Sequence, residues 1–389
     1  MTTLTTFKKI TYTEPTLVSL IKALHSLAKN EKSSSDLIVN QLKKDIGEHE
    51  HYVFILIDGL GANLLDQLSP DGILKNSLYK IIRTVFPSTT ASAITSLTTG
   101  AYPSTHSITG WWTYLPQYNL TSTVLPFVER FSGNPLSKYF ARIEDVFLIP
   151  SIFEKINYYF KTYIPLEFKG SIFSTYSSGG KETYGYSSLH EALEQLSNDL
   201  KTLNEPSLSY IYYPSLDSTS HAYGYTHPKN IDLLHEIDTK IKNFKNNLNT
   251  KVRIIITADH GHTIIPKENQ LYISDESPLM NYLQFPPSGE PRVPIFHVKK
   301  GSNKVFKKIF NEIYGEYFYL LSNKEVEKSQ LLGPGALTLE TKKRIGDFLA
   351  VAKGNHVLSY LRPHGTPPNM VGFHAGLSDN EMNIPVFLI

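Results

Sequence analysis

Three stretches of this chain follow one grammar, and it restricts the fold more than anything else in the 389 residues. Tyr52-Val53-Phe54-Ile55-Leu56-Ile57 ends in Asp58-Gly59-Leu60-Gly61. Leu208-Ser209-Tyr210-Ile211-Tyr212-Tyr213 leads to Asp217 and then to Ser218-Thr219-Ser220-His221. Val252-Arg253-Ile254-Ile255-Ile256-Thr257 leads to Ala258-Asp259-His260-Gly261-His262. A short, mainly apolar run predicts a parallel strand buried on both faces. Helical patterning over 189–203 and 231–248 puts a helix before the second and third of these strands. Alternating strands and helices wind into a mostly parallel sheet with a helical layer on each face. The expected fold class is therefore α/β, a three-layer α/β/α sandwich. Ligands of such sheets bind beyond the carboxyl ends of the strands, and all three aspartates fall there.

The remaining chain frames that sheet. Residues 1–50 read as a lead-in of two amphipathic helices, one from about Pro15 and one after Ser33-Ser34-Ser35. Residues 51–262 and 358–389 form the expected core. Between them, 263–357 reads as an inserted cap lobe, with Pro-rich turns, short strands at 293–298 and 317–321, and a helix at 304–313. Residues 101–187 are rich in Tyr, Trp and Ser and decorate the core. A net charge of +2 gives no basic footprint for a nucleic-acid polymer or an acidic membrane. The clusters Lys299-Lys300 with Lys304, Lys307 and Lys308, and Lys342-Lys343-Arg344, read as solvated faces. The chain has no cysteine, which excludes thiolate ligands and Cys nucleophiles and suits a reducing compartment. With no apolar leader at 1–10 and no membrane-length apolar run, a cytoplasmic location without membrane attachment is expected.

Phe86-Pro87-Ser88-Thr89-Thr90-Ala91-Ser92-Ala93-Ile94-Thr95-Ser96-Leu97-Thr98-Thr99-Gly100 reads as a turn that becomes a helix. Pro87 ends an extended run over 81–86, Ser88 to Thr90 are capping residues, and Gly100 is the stop. A hydroxyl at a helix start lies where free N–H groups and the dipole favour an anion. Taken alone, a plain Thr cap explains these residues. Asp58, Asp217, His221, Asp259, His260 and His374 change the weighing, because they are ligands suited to Zn²⁺ or a similar divalent ion. Asp217 and His221 are spaced by one helical turn, and Asp259 and His260 are adjacent. Two such clusters with two remote ligands point to two cations, the common device for displacement at phosphorus. Thr90 needs such a neighbour to lose its proton at neutral pH.

In this order, Leu56-Ile57-Asp58-Gly59, the Thr90 stretch running into Thr99-Gly100-Ala101-Tyr102-Pro103-Ser104-Thr105-His106, Asp217-x-x-x-His221, Ala258-Asp259-His260-Gly261 and Gly372-Phe373-His374 resemble the alkaline phosphatase superfamily. The resemblance is to its nucleotide pyrophosphatase/phosphodiesterase (type I phosphodiesterase) branch and runs from about residue 50 to the end. It implies that Asp58, Thr90, Asp259 and His260 hold one zinc, and that Asp217, His221 and His374 hold another. It also implies that Thr90 attacks phosphorus and forms a phosphoryl-enzyme intermediate, which water then hydrolyses. Thr90 is chosen over Thr89 because the branch places its nucleophile ten residues before the glycine matching Gly100. The implied substrate is a small phosphoester, a nucleotide-like phosphodiester or phosphoanhydride.

The chain departs from the branch in two places. Ser107 replaces the glycine after His106, and Trp111 stands where animal members have an Asn that contacts a phosphoryl oxygen. Trp111-Trp112-x-Tyr114 reads either as lobe packing or as a platform for a flat group. His262 is read as a partner of a ligand, while His106, His227, His297, His356 and His364 are read as structural. Arg292 and His364-Gly365 are candidates for the pocket border. Three aspartates and a Thr90 alkoxide already balance two divalent ions, and no Arg or Lys lies between Arg83 and Arg130. That balance predicts a singly charged diester over a monoester dianion. The alternatives are a phosphonate or phosphomonoester hydrolase on the same core, a hydroxide-using metallohydrolase of Asp259, His260 and His262, and a non-catalytic metal-binding protein. A sulfatase is the poorer match, since the Cys/Ser-x-Pro-x-Arg setting of its nucleophile is missing.

Overall fold

A computed structural model describes residues 12–29, 31, 34–248, 251–363 and 365–389. His364, Ser33 and the leader region 1–10 lie outside the described residues.

The central strand His51–Ile57 is buried at every position, as an apolar run without alternation requires. It pairs in parallel with Ser207–Tyr213 on one side and Val252–Thr257 on the other. Tyr159–Pro165 and Glu182–Tyr186 extend the sheet in parallel beyond Ser207–Tyr213. At the opposite edge the C-terminal strand Asn383–Leu388 runs antiparallel to Val252–Thr257 and to Leu78–Arg83. The sheet has seven strands and is mostly parallel, as expected.

Helices cover both faces in two separate packed groups. Leu17–Ala28, Leu37–Ile46 and Thr90–Thr99 pack together, and Ile73–Asn76, Leu189–Thr202, Ser215–Tyr223 and Pro228–Asn246 pack together. No helix among the described residues is long and apolar enough to cross a membrane.

A second sheet, also of seven strands and antiparallel throughout, stands beside the first. Phe318–Ser322, Phe348–Ala352, Val293–Phe296 and Ser288–Glu290 come from the segment expected to form a lobe. Trp112–Leu115, Leu120–Thr123 and Val128–Glu129 come from the decorated region far upstream. A single register pair, Gly289 with Trp112, joins the two halves. Local patterning carries no sign of a join between segments about 170 residues apart.

The sequence reading needs three corrections here. The extended run expected at 81–86 is the strand Leu78–Arg83, because its register is set by pairing with Asn383–Leu388 rather than by Pro87. Arg344 is fully buried instead of solvated. It donates to the carbonyls of Val146 at 2.8 Å and Asp145 at 2.9 Å, anchoring Leu339–Arg344 to the neighbouring turn. Arg292 does not border a pocket. It is buried against Glu381, with Nε–Oε1 at 2.5 Å and Nη2–Oε2 at 2.8 Å.

Candidate active site

Each candidate residue enters from the end of a strand or the start of a helix. Asp58 follows the central strand, and its turn requires Gly59. There φ is +77°, and a Cβ would meet the Asp217 Cα at 3.0 Å and the His262 ring at 3.1 Å. Asp217 and His221 lie one turn apart on Ser215–Tyr223, and Asp259 and His260 follow Val252–Thr257. A short ladder between Thr263–Ile264 and Gly372–Phe373 carries His374 back to this end of the sheet. Ser88 and Ala375 exchange backbone hydrogen bonds of 3.3 and 2.8 Å, which locks the turn before Thr90 onto the His374 loop.

These elements bring all seven predicted residues together. Thr90 Oγ1 lies 3.1 Å from His260 Nε2, and the same nitrogen lies 3.4 Å from both Asp58 Oδ1 and Asp259 Oδ2. Asp217 Oδ1 lies 3.4 Å from His221 Nε2 and 4.0 Å from His374 Nε2. The rings of His260 and His374 stack at 3.8 Å, so the two groups adjoin. Asp58, Asp259 and His260 form one set of converging ligand atoms, and Asp217, His221 and His374 form a second. His262 Nε2 is 2.7 Å from Asp217 Oδ1, the contact of a residue that orients a ligand. Asp217, His260 and His262 also converge, so His262 belongs to a third possible set.

The donor chemistry fits divalent cations. Asp58 Oδ1 and Asp259 Oδ2 are buried without a hydrogen-bond donor, a costly arrangement unless positive charge faces them. His221 Nδ1 is 2.8 Å from the Gly372 carbonyl and His374 Nδ1 is 3.1 Å from the Ser88 carbonyl. Bonds of that kind hold the Nδ1–H tautomer and turn the Nε2 lone pair towards a cation. Burial, then the Asp259 and Asp217 charges, push the Asp58 carboxyl well above the usual range. Burial opposes ionisation of Asp217, yet His221, His262 and His374 hold its carboxyl well below. Burial, with His260 and His221 nearby, drives His374 well down. Burial takes His262 to about 4 despite its bond to Asp217. His262 and His374 are therefore neutral at neutral pH, the form that binds metals.

Thr90 opens the helix Thr90–Thr99, which ends at Gly100 with φ +64°. Capping by the preceding hydroxyls does not occur. Thr89 is the N-cap residue, but its hydroxyl donates to Glu290 Oε1 at 2.6 Å, and Ser88 donates to the Gly376 carbonyl. The cap residue therefore supplies no side-chain acceptor to the N–H groups of the first turn, beside the Thr90 hydroxyl.

Two cavities meet at Thr90, Trp111 and Asp217. One, of about 450 Å³, is apolar and aromatic, with Leu125, Phe168, Phe173, Tyr210 and Tyr212 in its wall. Tyr212 donates to Asp58 Oδ2 at 2.5 Å, while the buried Tyr210 hydroxyl has no partner. The other, of about 650 Å³, contains His221, His374, Glu290, Arg130 and Arg362. Sequence reasoning missed Glu290, Arg130, Arg362 and both tyrosines. Only the tyrosines carried a signal, their two-residue spacing on a strand whose Tyr212 registers with Leu56. The absence of cations from 84–129 gave a misleading picture, because Arg130 and Arg362 line the cavity through folding. Trp111 lines both cavities and its backbone N–H donates to Glu290. Trp112 stacks under Arg130, and Tyr114 stacks on Phe285, so the three aromatics form no single platform. Gly365 lines the larger cavity.

A sequence model of the type I phosphodiesterase/nucleotide pyrophosphatase family matches residues 52–376. A sequence comparison with curated proteins gives no match. Among solved structures, murine ectonucleotide pyrophosphatase/phosphodiesterase 5 superposes with a TM-score of 0.64 at 17% identity, covering 86% of this chain and 87% of that one. An inactive variant of the murine protein in complex with AMP gives 0.65 at 16%, with 86% and 87% covered. The human protein gives 0.65 at 16%, with 87% of each chain covered. At such identity the structural likeness speaks for the fold, while the family match spans most of the sequence. The chain belongs to the type I phosphodiesterase/nucleotide pyrophosphatase family, and it is a hydrolase of that type.

Proposed function

We propose that the protein cleaves a phosphodiester or phosphoanhydride bond of a nucleotide-like substrate through a covalent intermediate on Thr90. In this reading Asp58, Thr90, Asp259 and His260 hold one divalent ion, and Asp217, His221 and His374 hold a second, zinc being favoured by the Asp/His donor set. The observation that carries it is the 3.1 Å approach of Thr90 Oγ1 to His260 Nε2, with two donor-free carboxylate oxygens beside it. Bound cations supply charge neutralisation and a lowered hydroxyl pKa.

The chain's own residues do the rest. Thr90 presents its hydroxyl from the first turn of a helix, where the dipole favours the charge on phosphorus oxygens. The Oγ–P bond forms as the ester or anhydride P–O bond breaks, and water later takes the phosphoryl group from Oγ. Glu290 fixes Thr89, and the His374 loop fixes Ser88, so the turn on the N-terminal side of the nucleophile is held. The aromatic cavity accepts a flat group such as a base, consistent with the AMP complex of the murine relative.

Replacing Thr90 tests the mechanism. The metal-loaded Thr90→Ala protein should lose at least about 10³-fold in kcat on bis-p-nitrophenyl phosphate while still binding metal. Retained activity would indicate hydroxide as the nucleophile and defeat the proposal.

A further inference from the structure

Two arginines line the larger cavity. Arg130 follows the strand Val128–Glu129 and is half-buried, and Arg362 is exposed at the rim. The Arg362 Nη2 donates to the Arg130 backbone carbonyl at 2.9 Å, and the Arg130 Nη1 donates to the Pro287 carbonyl, so each guanidinium is held by a main-chain oxygen. The Arg130 guanidinium lies 3.9 Å from the Trp112 ring centre and 5.0 Å from that of Phe131. Arg362 lies 4.9 Å from the same Phe131 ring. Aromatic faces thus hold both planes in place without neutralising them.

Neither arginine forms an ion pair with a carboxylate among the described residues. The nearby acids are engaged elsewhere. Glu129 accepts from the N–H groups of Phe131 and Ser132 at 3.0 and 2.6 Å, and Glu290 accepts from Thr89 and Trp111. Burial, and then Arg362, bring the Arg130 guanidinium down to about 9, and Tyr360, Glu290 and Glu129 oppose the shift only in part. Two guanidiniums packed on one Phe131 ring, lining a cavity that also contains Thr90, His221 and His374, suit an anionic group there.

We propose that Arg130 and Arg362 form a subsite for a second phosphate of the substrate, one carried beyond the phosphorus that Thr90 attacks. The pair makes the site selective for substrates with charge on both sides of the scissile bond. This reverses the preference for a singly charged diester that the sequence alone predicts. It rests on the proposed function for the location of the reacting phosphorus.

The test is a binding ratio, so turnover is not needed. In the zinc-loaded Thr90→Ala protein, Kd is measured by calorimetry for AMP and for ATP, with and without Arg362→Gln. The expected result is that the AMP-to-ATP affinity gain falls about tenfold or more with Arg362→Gln. Arg130→Gln should act alike, and Arg130→Lys, which keeps the charge, should retain part of the gain and guards against a folding defect. A purely structural role for the arginines shifts both ligands in parallel and leaves the ratio unchanged. A ratio within twofold of the parent value in both Arg362→Gln and Arg130→Gln overturns the subsite. If instead the wild-type enzyme turns over no diester or anhydride, the proposed function fails while the ratio still reports on the two arginines.

Discussion

Glu290 reaches from the second sheet and takes the Thr89 hydroxyl and the Trp111 N–H on a single oxygen, each at 2.6 Å. Burial pushes its carboxyl up to about 7, and those two hydrogen bonds only partly oppose the shift. A carboxyl that holds its proton more tightly folded than unfolded stabilises the fold fully below its unfolded value of about 4.5. The contribution is lost as pH rises through 7. Glu290→Gln cannot ionise, so from about pH 5 to pH 8 the wild type should lose up to about 3 kcal/mol of stability relative to it. Urea titrations of both proteins across that range measure the difference, and parallel curves would contradict it. Nothing in the sequence around Glu290 marked it, because its role depends on two residues about 180 and 200 positions away. Asp58, Asp217, His221, Asp259 and His260 were legible for the opposite reason, since they follow apolar runs or repeat at a helical interval, whereas His374 rested on its donor type and the family resemblance.

At the scale of elements, the helix Thr90–Thr99 is buried along its whole length. It packs against Leu17–Ala28, which explains why small and hydroxylated residues fill positions that a surface helix would give to charges. The lead-in region, read as devoid of chemistry, therefore supports the element that carries Thr90. The buried Arg292–Glu381 pair plays a comparable part between the two sheets. Arg292 lies between the strands Ser288–Glu290 and Val293–Phe296, and Glu381 lies in Asp379–Met382 beside the last strand of the main sheet. Arg292 also donates to the carbonyls of Gly354 and His356, and Glu381 accepts the Gly376 N–H at 2.8 Å. Arg292→Met leaves a buried carboxylate without its cation and should cost about 3–5 kcal/mol in an unfolding titration. A loss below about 1 kcal/mol would show that the pair does not hold the two sheets together.

For the whole molecule, the site lies where the carboxyl ends of the main sheet meet the second sheet. Its carboxylates crowd one another, and that repulsion is tolerable only with positive charge between them. Cations binding only the folded state stabilise it by mass action, about 4 kcal/mol at a thousandfold excess over Kd. Chelation with EDTA should therefore lower the melting temperature, and added Zn²⁺ should restore it. A melting curve indifferent to both treatments would count against a metal centre.

The sequence by itself determined the three central strands of the main sheet, the turns that end them and the polar residues at those turns, while Tyr159–Pro165 and Glu182–Tyr186 lay in a region read only as decoration. Apolar runs, helical spacing and glycine positions are local properties, and they survive without knowledge of neighbours. The tertiary structure alone decided that 112–129 and 288–352 share one sheet, that Thr89 serves Glu290 instead of its own helix, and that two arginines 232 positions apart line the same cavity as Thr90. Those outcomes depend on which strands become neighbours and which charges find no partner, and both are set only when the whole chain is packed.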